Sequence, residues 1–309
     1  MLKRKDLLGL RDMSAEEIKL ILDEADEMKR RLNGGEKCGE ELKGKTLVTL
    51  FYENSTRTRT SFELAGKYLG ATEVNISSSS SSVQKGESLI DTGKTLQALK
   101  VDFIAIRHPM GGAPALLAKT VGCGVLNGGD GMNEHPTQAL LDMLSIRREF
   151  GTLKGLKVAI LGDIKHSRVA KSNLFGLTKM GAEVWVYAPK TLIPKGFDEL
   201  GAHIATSREQ CVEGAQAVMG LRIQLERQSG GLFPSLSEYS RFYGVNDEVL
   251  KRADSRAIIV HPGPVNRGVE LTPALIDGER SRIEDQVTSG LAVRMAALKL
   301  LSEYAEARK

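Results

Sequence analysis

Short apolar runs alternate with amphipathic stretches along almost the whole chain. The candidate strands are rich in Val, Ile, Leu and Ala and span 45–52, 101–106, 124–127, 156–162, 183–188, 217–221 and 257–261. The stretches with helical spacing of apolar residues are 14–32, 57–69, 88–99, 113–120, 137–150, 168–180, 207–213, 246–253 and 288–306. Continuous apolar runs are typical of parallel strands buried on both faces. The alternation predicts an α/β fold with doubly wound, mostly parallel sheets flanked by helices.

The chain is long enough for two domains. It has 309 residues, of which 41% are hydrophobic, and a domain usually contains about 100–200 residues. The alternation stops at Gly151-Thr-Leu-Lys-Gly155, after which a new strand begins. We predict a first domain over 1–150, to which a C-terminal helix at 288–309 returns, and a second domain over 151–287.

Charge and cysteine usage exclude several classes of protein. The 43 Lys and Arg residues are scattered among 39 Asp and Glu residues, for a net charge of +4, whereas nucleic-acid-binding proteins concentrate positive charge in a patch. No apolar stretch approaches the ~20 residues that span a bilayer. The start, Met1-Leu-Lys-Arg-Lys-Asp6, is unlike a secretory signal. The isolated cysteines Cys38, Cys123 and Cys211 suggest a reducing compartment. We predict a cytoplasmic protein that binds neither nucleic acid nor membranes.

Hydroxyl and guanidinium groups are concentrated just after the first predicted strand. Ser55-Thr-Arg-Thr-Arg-Thr60 lies where that strand turns into a helix. The first N–H groups of a helix lack intrahelical partners, and the helix dipole makes this end positive. With the side chains of Ser55, Thr56, Arg57 and Thr58, this end predicts a phosphate-binding site. In the alternative interpretation Ser55 is an ordinary N-cap and the arginines are solvated, although one hydroxyl would suffice for capping.

Arg or His residues follow every predicted strand except 183–188. They occur at Ser55 to Arg59, Arg107-His108, His135-Pro-Thr-Gln138, Lys165 to Arg168, Arg222-Ile-Gln224 and His261. Taken singly, each could be a solvated charge or a helix cap. Ligands of open parallel sheets bind beyond the carboxyl ends of the strands. We therefore predict that both domains direct these groups towards one cleft.

A dinucleotide site is disfavoured, and two polar segments stand apart. The turn after 156–162 has Gly162 alone where the dinucleotide motif requires G-x-G-x-x-G. Ser77 to Ser82 is a run of serines, and 223–245 is rich in Gly, Ser, Gln and Arg. We interpret both segments as long loops, either surface linkers or functional lids.

The motifs resemble those of the carbamoyltransferase family over residues 5–305. Ser55-Thr-Arg-Thr-Arg59 is similar to the carbamoyl phosphate motif of that family, and His135-Pro-Thr-Gln138 to its second shared motif. The later motifs resemble the aspartate-specific branch, and they are Ser81 with Lys85-Gly-Glu87, Gly162-Asp-Ile-Lys-His-Ser-Arg168, Arg222-Ile-Gln224 and His261-Pro-Gly-Pro-Val-Asn-Arg-Gly268.

The resemblance implies transfer of the carbamoyl group of carbamoyl phosphate to L-aspartate, a step of de novo pyrimidine biosynthesis. Phosphate is then held by the motif residues Ser55, Thr56, Arg57 and Thr58. Arg107 bridges the phosphate and the carbamoyl oxygen. His135 and Thr58 donate to that oxygen, and Gln138 orients the carbamoyl amide.

The remaining implied roles concern the second domain and a neighbouring subunit. The main-chain carbonyls of Gly263 and Pro264 accept from the carbamoyl N–H groups. The aspartate carboxylates are bound by Arg168 and Arg222, with support from Gln224. Ser81 and Lys85 reach the site from a neighbouring chain of a homotrimer with shared active sites. The resemblance leaves open whether a regulatory chain or a dihydroorotase associates.

The implied chemistry needs neither a cofactor nor a metal, because carbamoyl phosphate is already activated. The catalytic roles fall to Arg57, Thr58, Lys85, Arg107 and His135, and the departing phosphate takes the proton of the amine. One alternative is a carbamoyltransferase for another amine such as ornithine. The other is a non-catalytic anion-binding paralogue.

Overall fold

The computed structural model describes residues 2–77, 86–224 and 235–308. These residues belong to two units, one formed by Met1–Leu141 with Thr288–Lys309 and the other by Asp142–Val287. Each unit contains one parallel sheet flanked by helices, which confirms the predicted fold class. Among the described residues, no helix is both long enough and apolar enough to cross a bilayer.

The sheet of the first unit has the order β2-β1-β3-β4, and its strands are parallel. Its strands are β1 (Thr46–Phe51), β2 (Thr72–Ser77), β3 (Phe103–His108) and β4 (Gly124–Asp130). Its helices are α1 (Ala15–Asn33), α2 (Thr56–Tyr68), α3 (Leu89–Ala98) and α4 (Ala113–Thr120). Val48, Ile104 and Val125 pack with Leu96 and Leu117 in one apolar cluster. The chain places β2 on one side of β1 and then crosses to place β3 on its other side, so the strand order reverses between β1 and β3.

The sheet of the second unit has the order β7-β6-β5-β8-β9, again with parallel strands. Its strands are β5 (Lys157–Gly162), β6 (Glu183–Tyr187), β7 (Ala202–Ile204), β8 (Ala217–Leu221) and β9 (Ile258–Val260). Its helices are α6 (Arg168–Lys179), α7 (Arg208–Val212), α8 (Leu236–Tyr243), α9 (Asp247–Leu250) and α10 (Pro273–Asp277), with a 3-10 turn at Lys190–Leu192. The strand order reverses between β5 and β8.

Two helices contain the boundaries between the units. These are α5 (Pro136–Phe150), which divides after Leu141, and α11 (Ile283–Glu306), which divides after Val287. Within the first unit, Arg294 Nη1 of α11 donates to Ser61 Oγ at 2.9 Å, and Lys299 Nζ lies 2.7 Å from Glu24 Oε1. The C-terminal helix therefore returns to the first unit, as predicted. The domain boundary that we place after residue 150 stays a prediction.

The sequence analysis missed several short elements. β2 and β7 are edge strands whose residues are mostly exposed or half-buried, so they lack the continuous apolar run that marks the predicted strands. β4 extends to Asp130, so its predicted end at residue 127 is wrong. The prediction of a loop over 223–245 is wrong for the part that forms α8. This helix begins after Ser235, whose side chain caps it by accepting from the Glu238 N–H at 3.1 Å. Residues 78–82 of the serine run and residues 225–234 of the later loop lie outside the described residues.

Candidate active site

The first unit presents the Ser-Thr-Arg-Thr segment at the point where its strand order reverses. β1 and β3 are paired with Phe51 opposite Arg107, so both strands end at the same edge. α2 begins at Thr56, and the Ser55 side chain makes no capping hydrogen bond to the helix. The first turn of α2 contains no acidic residue. Ser55 is therefore not an ordinary capping acceptor, and this end keeps the positive character that an anion requires.

The residues of this segment differ in exposure. Thr56 and Arg57 are exposed and Ser55 is half-buried, whereas Thr58 is buried. The helix thus presents its first residues to solvent while Thr58 faces the protein. This arrangement suits a small anion that approaches along the helix axis.

Arg107 is held by an acidic residue that the sequence analysis did not assign. Its Nε donates to Glu53 Oε2 at 3.1 Å, and its Nη1 lies 3.5 Å from the carbonyl oxygen of Gly128. Both partners are largely buried, with 16% of the Arg107 side chain and 22% of the Glu53 side chain exposed. Glu53 therefore orients the guanidinium at the end of β3. Its position two residues before the motif, in the turn after β1, was the available sequence signal.

His108, the neighbour of Arg107, has a structural role. Its ring lies 4.7 Å from the Tyr52 ring between centroids, and its Nδ1 accepts from the Met110 N–H at 3.0 Å. Burial lowers its pKa below the ordinary value, so the ring stays neutral at physiological pH. The acceptor role of Nδ1 shows that the ring supports the turn after β3.

His135 and Gln138 lie at the start of α5, and both are buried. The His135 carbonyl accepts from the N–H groups of Gln138 and Ala139, at 3.1 and 3.2 Å. His135 thus occupies the N-cap position of α5. These hydrogen bonds fix the backbone from which its ring extends.

Asp130 organises the loop that leads to His135. Its carboxylate accepts from the N–H groups of Gly112 at 2.7 Å and Glu134 at 3.1 Å, and from Asn127 Nδ2 at 2.8 Å. Asp130 is itself buried. A buried carboxylate with several N–H donors stabilises a loop strongly. Asn127 and Glu134 are close to Asp130 in the sequence, but Gly112 becomes a neighbour only in the folded chain, and sequence reasoning missed the role of this residue.

In the second unit, Asp163 connects the ends of β5 and β8. Its buried carboxylate accepts from His166 Nδ1 at 2.8 Å, from the His166 N–H at 3.2 Å and from the Gln224 N–H at 3.2 Å. A carboxylate accepts but does not donate, so the proton of the His166 ring lies on Nδ1. Asp163 therefore fixes the turn before Arg168 relative to the segment that carries Gln224.

Arg168 and Arg222, the arginines predicted to bind the aspartate carboxylates, lie at this junction of β5 and β8. Arg168 is the first residue of α6 and is buried, and Ser167 caps α6 by accepting from the Ala170 N–H at 3.1 Å. Arg222 directly follows β8, and its Nη2 lies 3.3 Å from Gln224 Oε1. Reversal of the strand order between β5 and β8 makes this edge the expected ligand site of the sheet.

Gly263 and Pro264 form a turn after β9. The Gly263–Pro264 peptide is cis, and Gly263 has φ of 63°, a left-handed conformation that favours glycine. Gly263 is half-buried and Pro264 is exposed. Among the other predicted residues, Ser81 and Lys85 lie outside the described residues.

Each unit therefore brings its own predicted residues together. In the first unit these are Ser55, Thr56, Arg57, Thr58, Arg107, His135 and Gln138, at the ends of the adjacent strands β1, β3 and β4. In the second unit Arg168, Arg222 and Gln224 meet at the β5–β8 junction, and Gly263 and Pro264 follow the neighbouring strand β9. Chemically, the first group suits a phosphate or another small anion, and the second suits carboxylates.

The comparisons with known proteins agree with this division. Residues 5–148 match the family described as aspartate/ornithine carbamoyltransferase, carbamoyl-P binding domain, and residues 154–301 match its Asp/Orn binding domain. The aspartate carbamoyltransferase catalytic subunit of Ruminiclostridium cellulolyticum is 62% identical over 301 residues, which are 97% of this chain and 96% of that relative. The same subunit of Acetivibrio thermocellus is 60% identical over 98% of this chain and 97% of that relative.

Solved structures give the same result. Aspartate transcarbamoylase from Trypanosoma cruzi, in complex with carbamoyl phosphate and aspartate, matches with a TM-score of 0.86 and 30% identity, over 96% of this chain and 97% of that chain. Ornithine carbamoyltransferase from Thermus thermophilus matches with a TM-score of 0.86 and 30% identity, over 97% of this chain and 99% of that chain. The predicted resemblance is confirmed, and the chain belongs to the aspartate/ornithine carbamoyltransferase family.

Proposed function

We propose that the protein transfers the carbamoyl group of carbamoyl phosphate to the amino group of L-aspartate, giving N-carbamoyl-L-aspartate and phosphate. The observation that carries this proposal is the placement of Arg168 and Arg222 at the β5–β8 junction. A dicarboxylic amino acid needs cations there, whereas the cationic side chain of ornithine would need carboxylates. Asp163, the buried carboxylate at this edge, is engaged by His166 and Gln224.

The names of the most similar curated relatives reported above also support aspartate as the amine. The relatives at 62% and 60% identity are named as aspartate carbamoyltransferase catalytic subunits. The related Trypanosoma cruzi enzyme has been solved with carbamoyl aspartate and phosphate bound. This pair is the product set of the proposed reaction, which belongs to pyrimidine biosynthesis.

The phosphate is bound at the start of α2. The N–H groups of the first turn, including that of Thr58, the hydroxyls of Ser55 and Thr56, and the Arg57 guanidinium supply donors to its oxygens. The uncapped Ser55 side chain and the absence of acidic residues in this first turn support the assignment. An anion at such a helix end is stabilised by both the donors and the helix dipole.

Arg107 and His135 stabilise the negative charge that develops on the carbamoyl oxygen. Glu53 holds Arg107 in a fixed orientation, so the guanidinium needs little reorganisation during the reaction. Thr58 is a further donor to this oxygen, and Gln138 orients the carbamoyl amide. The carbonyls of Gly263 and Pro264 accept from the two N–H groups of that amide.

No covalent intermediate is needed in this reaction. The amine of aspartate attacks the carbamoyl carbon, the C–N bond forms, and the C–O bond to phosphate breaks. The departing phosphate accepts the proton that the amine loses. Arg168, Arg222 and Gln224 hold the aspartate carboxylates, and holding the two reactants in register contributes roughly 7–11 kcal/mol to lowering the barrier.

The complete site includes Ser81 and Lys85 from a neighbouring chain of a homotrimer. Lysine neutralises part of the combined charge of two anionic substrates, which would otherwise repel each other. The cytoplasmic location stays a prediction.

A ureido assay with purified protein tests the proposal. With carbamoyl phosphate, we expect product from L-aspartate and none above background from L-ornithine. Product from ornithine alone would establish the alternative amine. Binding of carbamoyl phosphate without product from either amine would establish the non-catalytic alternative.

Two arginines of the first unit supply a matched comparison. Arg107→Ala should lower kcat by about 10²–10³-fold, as for removal of one donor to an oxyanion. Arg30→Ala should stay near wild type, since Arg30 forms an exposed ion pair with Glu27 on the surface of α1. Equal losses in both variants, with both proteins folded, would contradict the role of Arg107.

A further inference from the structure

His261 and Glu270 form a buried pair beside the turn that follows β9. The exposed fractions of their side chains are 0% and 1%, and His261 Nε2 lies 3.1 Å from Glu270 Oε1. Buried polar groups require hydrogen-bond partners, because their desolvation is otherwise uncompensated. The pair therefore constrains whatever backbone it contacts.

The hydrogen bonds define the tautomer of His261. The Gly263 N–H donates to Nδ1 at 2.8 Å, so Nδ1 carries no proton. In a neutral imidazole the proton then lies on Nε2, which donates to Glu270 Oε1. The same carboxylate oxygen accepts from the Asn266 N–H at 2.6 Å. One ring and one carboxylate thus connect two backbone N–H groups.

These two N–H groups flank the carbonyls of Gly263 and Pro264. Along the chain, the hydrogen bond made by the Gly263 N–H precedes both carbonyls, and the one made by the Asn266 N–H follows them. With both sides restrained, the peptide planes between them lose most of their freedom to rotate. This turn is not part of a helix or a strand, so no ladder of backbone hydrogen bonds would otherwise define these planes.

The backbone of His261 is restrained as well. Its N–H donates to Gln286 Oε1 at 2.8 Å, and Gln286 Nε2 donates to Asp142 Oδ1 at 2.7 Å. Asp142 Oδ2 accepts from Asn173 Nδ2 at 2.8 Å. Helices α5, α6 and α11 of this unit therefore support the residue from which the turn begins.

We propose that His261 and Glu270 are positioning residues that aim the Gly263 and Pro264 carbonyls at the amide of the carbamoyl group. The inference rests on the proposed function and deepens it, because it assigns selection of the carbamoyl NH₂ to this pair. An acyl phosphate that lacks the amide gains nothing from fixed carbonyl acceptors. The pair therefore distinguishes carbamoyl phosphate from acetyl phosphate, in which a methyl group replaces the NH₂ group.

The test compares binding of carbamoyl phosphate, acetyl phosphate and inorganic phosphate to the full-length chain by calorimetry. His261→Gln keeps a donor for Glu270 but loses the acceptor for the Gly263 N–H. Glu270→Ala loses the acceptor for both His261 and Asn266. In each variant we expect the preference for carbamoyl over acetyl phosphate to fall by about tenfold, as for one lost hydrogen bond. Affinity for inorganic phosphate should be unchanged.

Two milder variants keep the test informative if those proteins do not fold. His261→Asn places an amide oxygen near the position of Nδ1, and Glu270→Gln keeps an oxygen at the Oε1 position. Both should keep most of the preference. Asp277→Asn is the matched control, because it weakens the exposed Arg267–Asp277 pair beside the same turn without contact to either carbonyl. It should bind all three ligands as the wild type does.

Turnover gives a second measurement. We expect kcat with saturating carbamoyl phosphate to fall in His261→Gln, while the KM for aspartate changes little. An unchanged preference for carbamoyl phosphate in folded His261→Gln and Glu270→Ala would overturn the proposal. An inactive wild-type protein would contradict the proposed function. The binding comparison does not require turnover, so it would still test the role of His261 and Glu270.

Discussion

At the scale of single residues, carboxylates hold the cations and donors of the candidate site in place. Glu53 binds Arg107, Asp130 secures the loop before His135, and Asp163 binds the turn before Arg168. A planar guanidinium that is already oriented loses less conformational entropy when it binds an anion. In the proposed function, these acids contribute to anion binding indirectly, by reducing the freedom of the groups that would make the contacts.

A different carboxylate, Glu73 of β2, makes stability depend on pH. Burial raises its pKa from 4.5 to about 7, although the Lys67 N–H donates to Oε1 at 2.5 Å and opposes the shift. Since the pKa of the folded state is the higher one, the folded state binds more protons between these values. Its contribution to the free energy of unfolding is therefore largest at acid pH and falls as the pH rises from 4.5 to about 7.

We predict that Glu73→Gln stabilises the protein at neutral and alkaline pH by about 1–2 kcal/mol, a value reduced for the partial solvent exposure of the side chain. At pH values below the ordinary carboxyl range the variant and the wild type should have similar stability. Urea unfolding across this pH series measures the difference. A difference that does not change with pH would contradict the role given to ionisation of Glu73.

At the scale of secondary-structure elements, the junction of β5 and β8 requires close approach of two backbones. Gly162 ends β5 with φ of 136°, and a Cβ placed there would clash with the carbonyl oxygen of Leu221. Neither atom can move without shifting the end of a strand. The next residue, Asp163, makes the contacts to His166 and Gln224, so the close approach also sets the geometry of the site.

We predict that Gly162→Ala destabilises the protein by about 2–4 kcal/mol, through backbone strain combined with the steric clash. Gly214→Ala is the matched control, because Gly214 has φ of 65° and, among the described residues, nothing lies within 4 Å of the position that a Cβ would occupy there. That variant should lose only about 1 kcal/mol, the cost of a left-handed conformation. Thermal or denaturant unfolding gives both values, and similar losses in the two variants would show that the contact with Leu221 is unimportant.

At the scale of the whole molecule, each unit carries one part of the chemistry. In the proposed reaction, the first unit holds the phosphate and carbamoyl groups, and the second supplies the cations for aspartate and the carbonyls of the turn after β9. Each set lies where the strand order of its sheet reverses or on the strand beside that point. The proposed contribution of Ser81 and Lys85 adds a neighbouring chain to this division.

Shared sites predict recovery of activity in mixtures of inactive chains. Arg57→Ala and Lys85→Ala proteins should each be nearly inactive. When their chains are exchanged, some sites combine the intact Arg57 of one chain with the intact Lys85 of its neighbour. We therefore expect a measurable fraction of wild-type activity in the ureido assay.

The control is a mixture of Ser81→Ala and Lys85→Ala chains. Both changes lie on the contributed segment, so no combination of these chains restores a complete site. Recovery in neither mixture, in samples whose chain exchange is verified by mass spectrometry, would indicate sites built from single chains.

Local patterns determined much of this protein from the sequence alone. The alternation of apolar runs and amphipathic helices predicts the α/β class, because strand and helix periodicities are properties of neighbouring residues. The Ser55–Arg59 and His135–Gln138 motifs mark the start of α2 and α5 for the same reason. The family and its reaction class follow from these motifs.

Only the tertiary structure revealed the edge strands β2 and β7 and identified the buried partners of the site residues. Glu53 with Arg107, Asp163 with Gln224 and His261 with Glu270 are pairs separated along the chain. The first two pairs depend on strand order and register, which bring distant segments to one edge of a sheet, whereas the fold of the segment after β9 brings His261 and Glu270 together. Sequence periodicity reports which face of an element is buried, but it does not report which distant residue lies against that face.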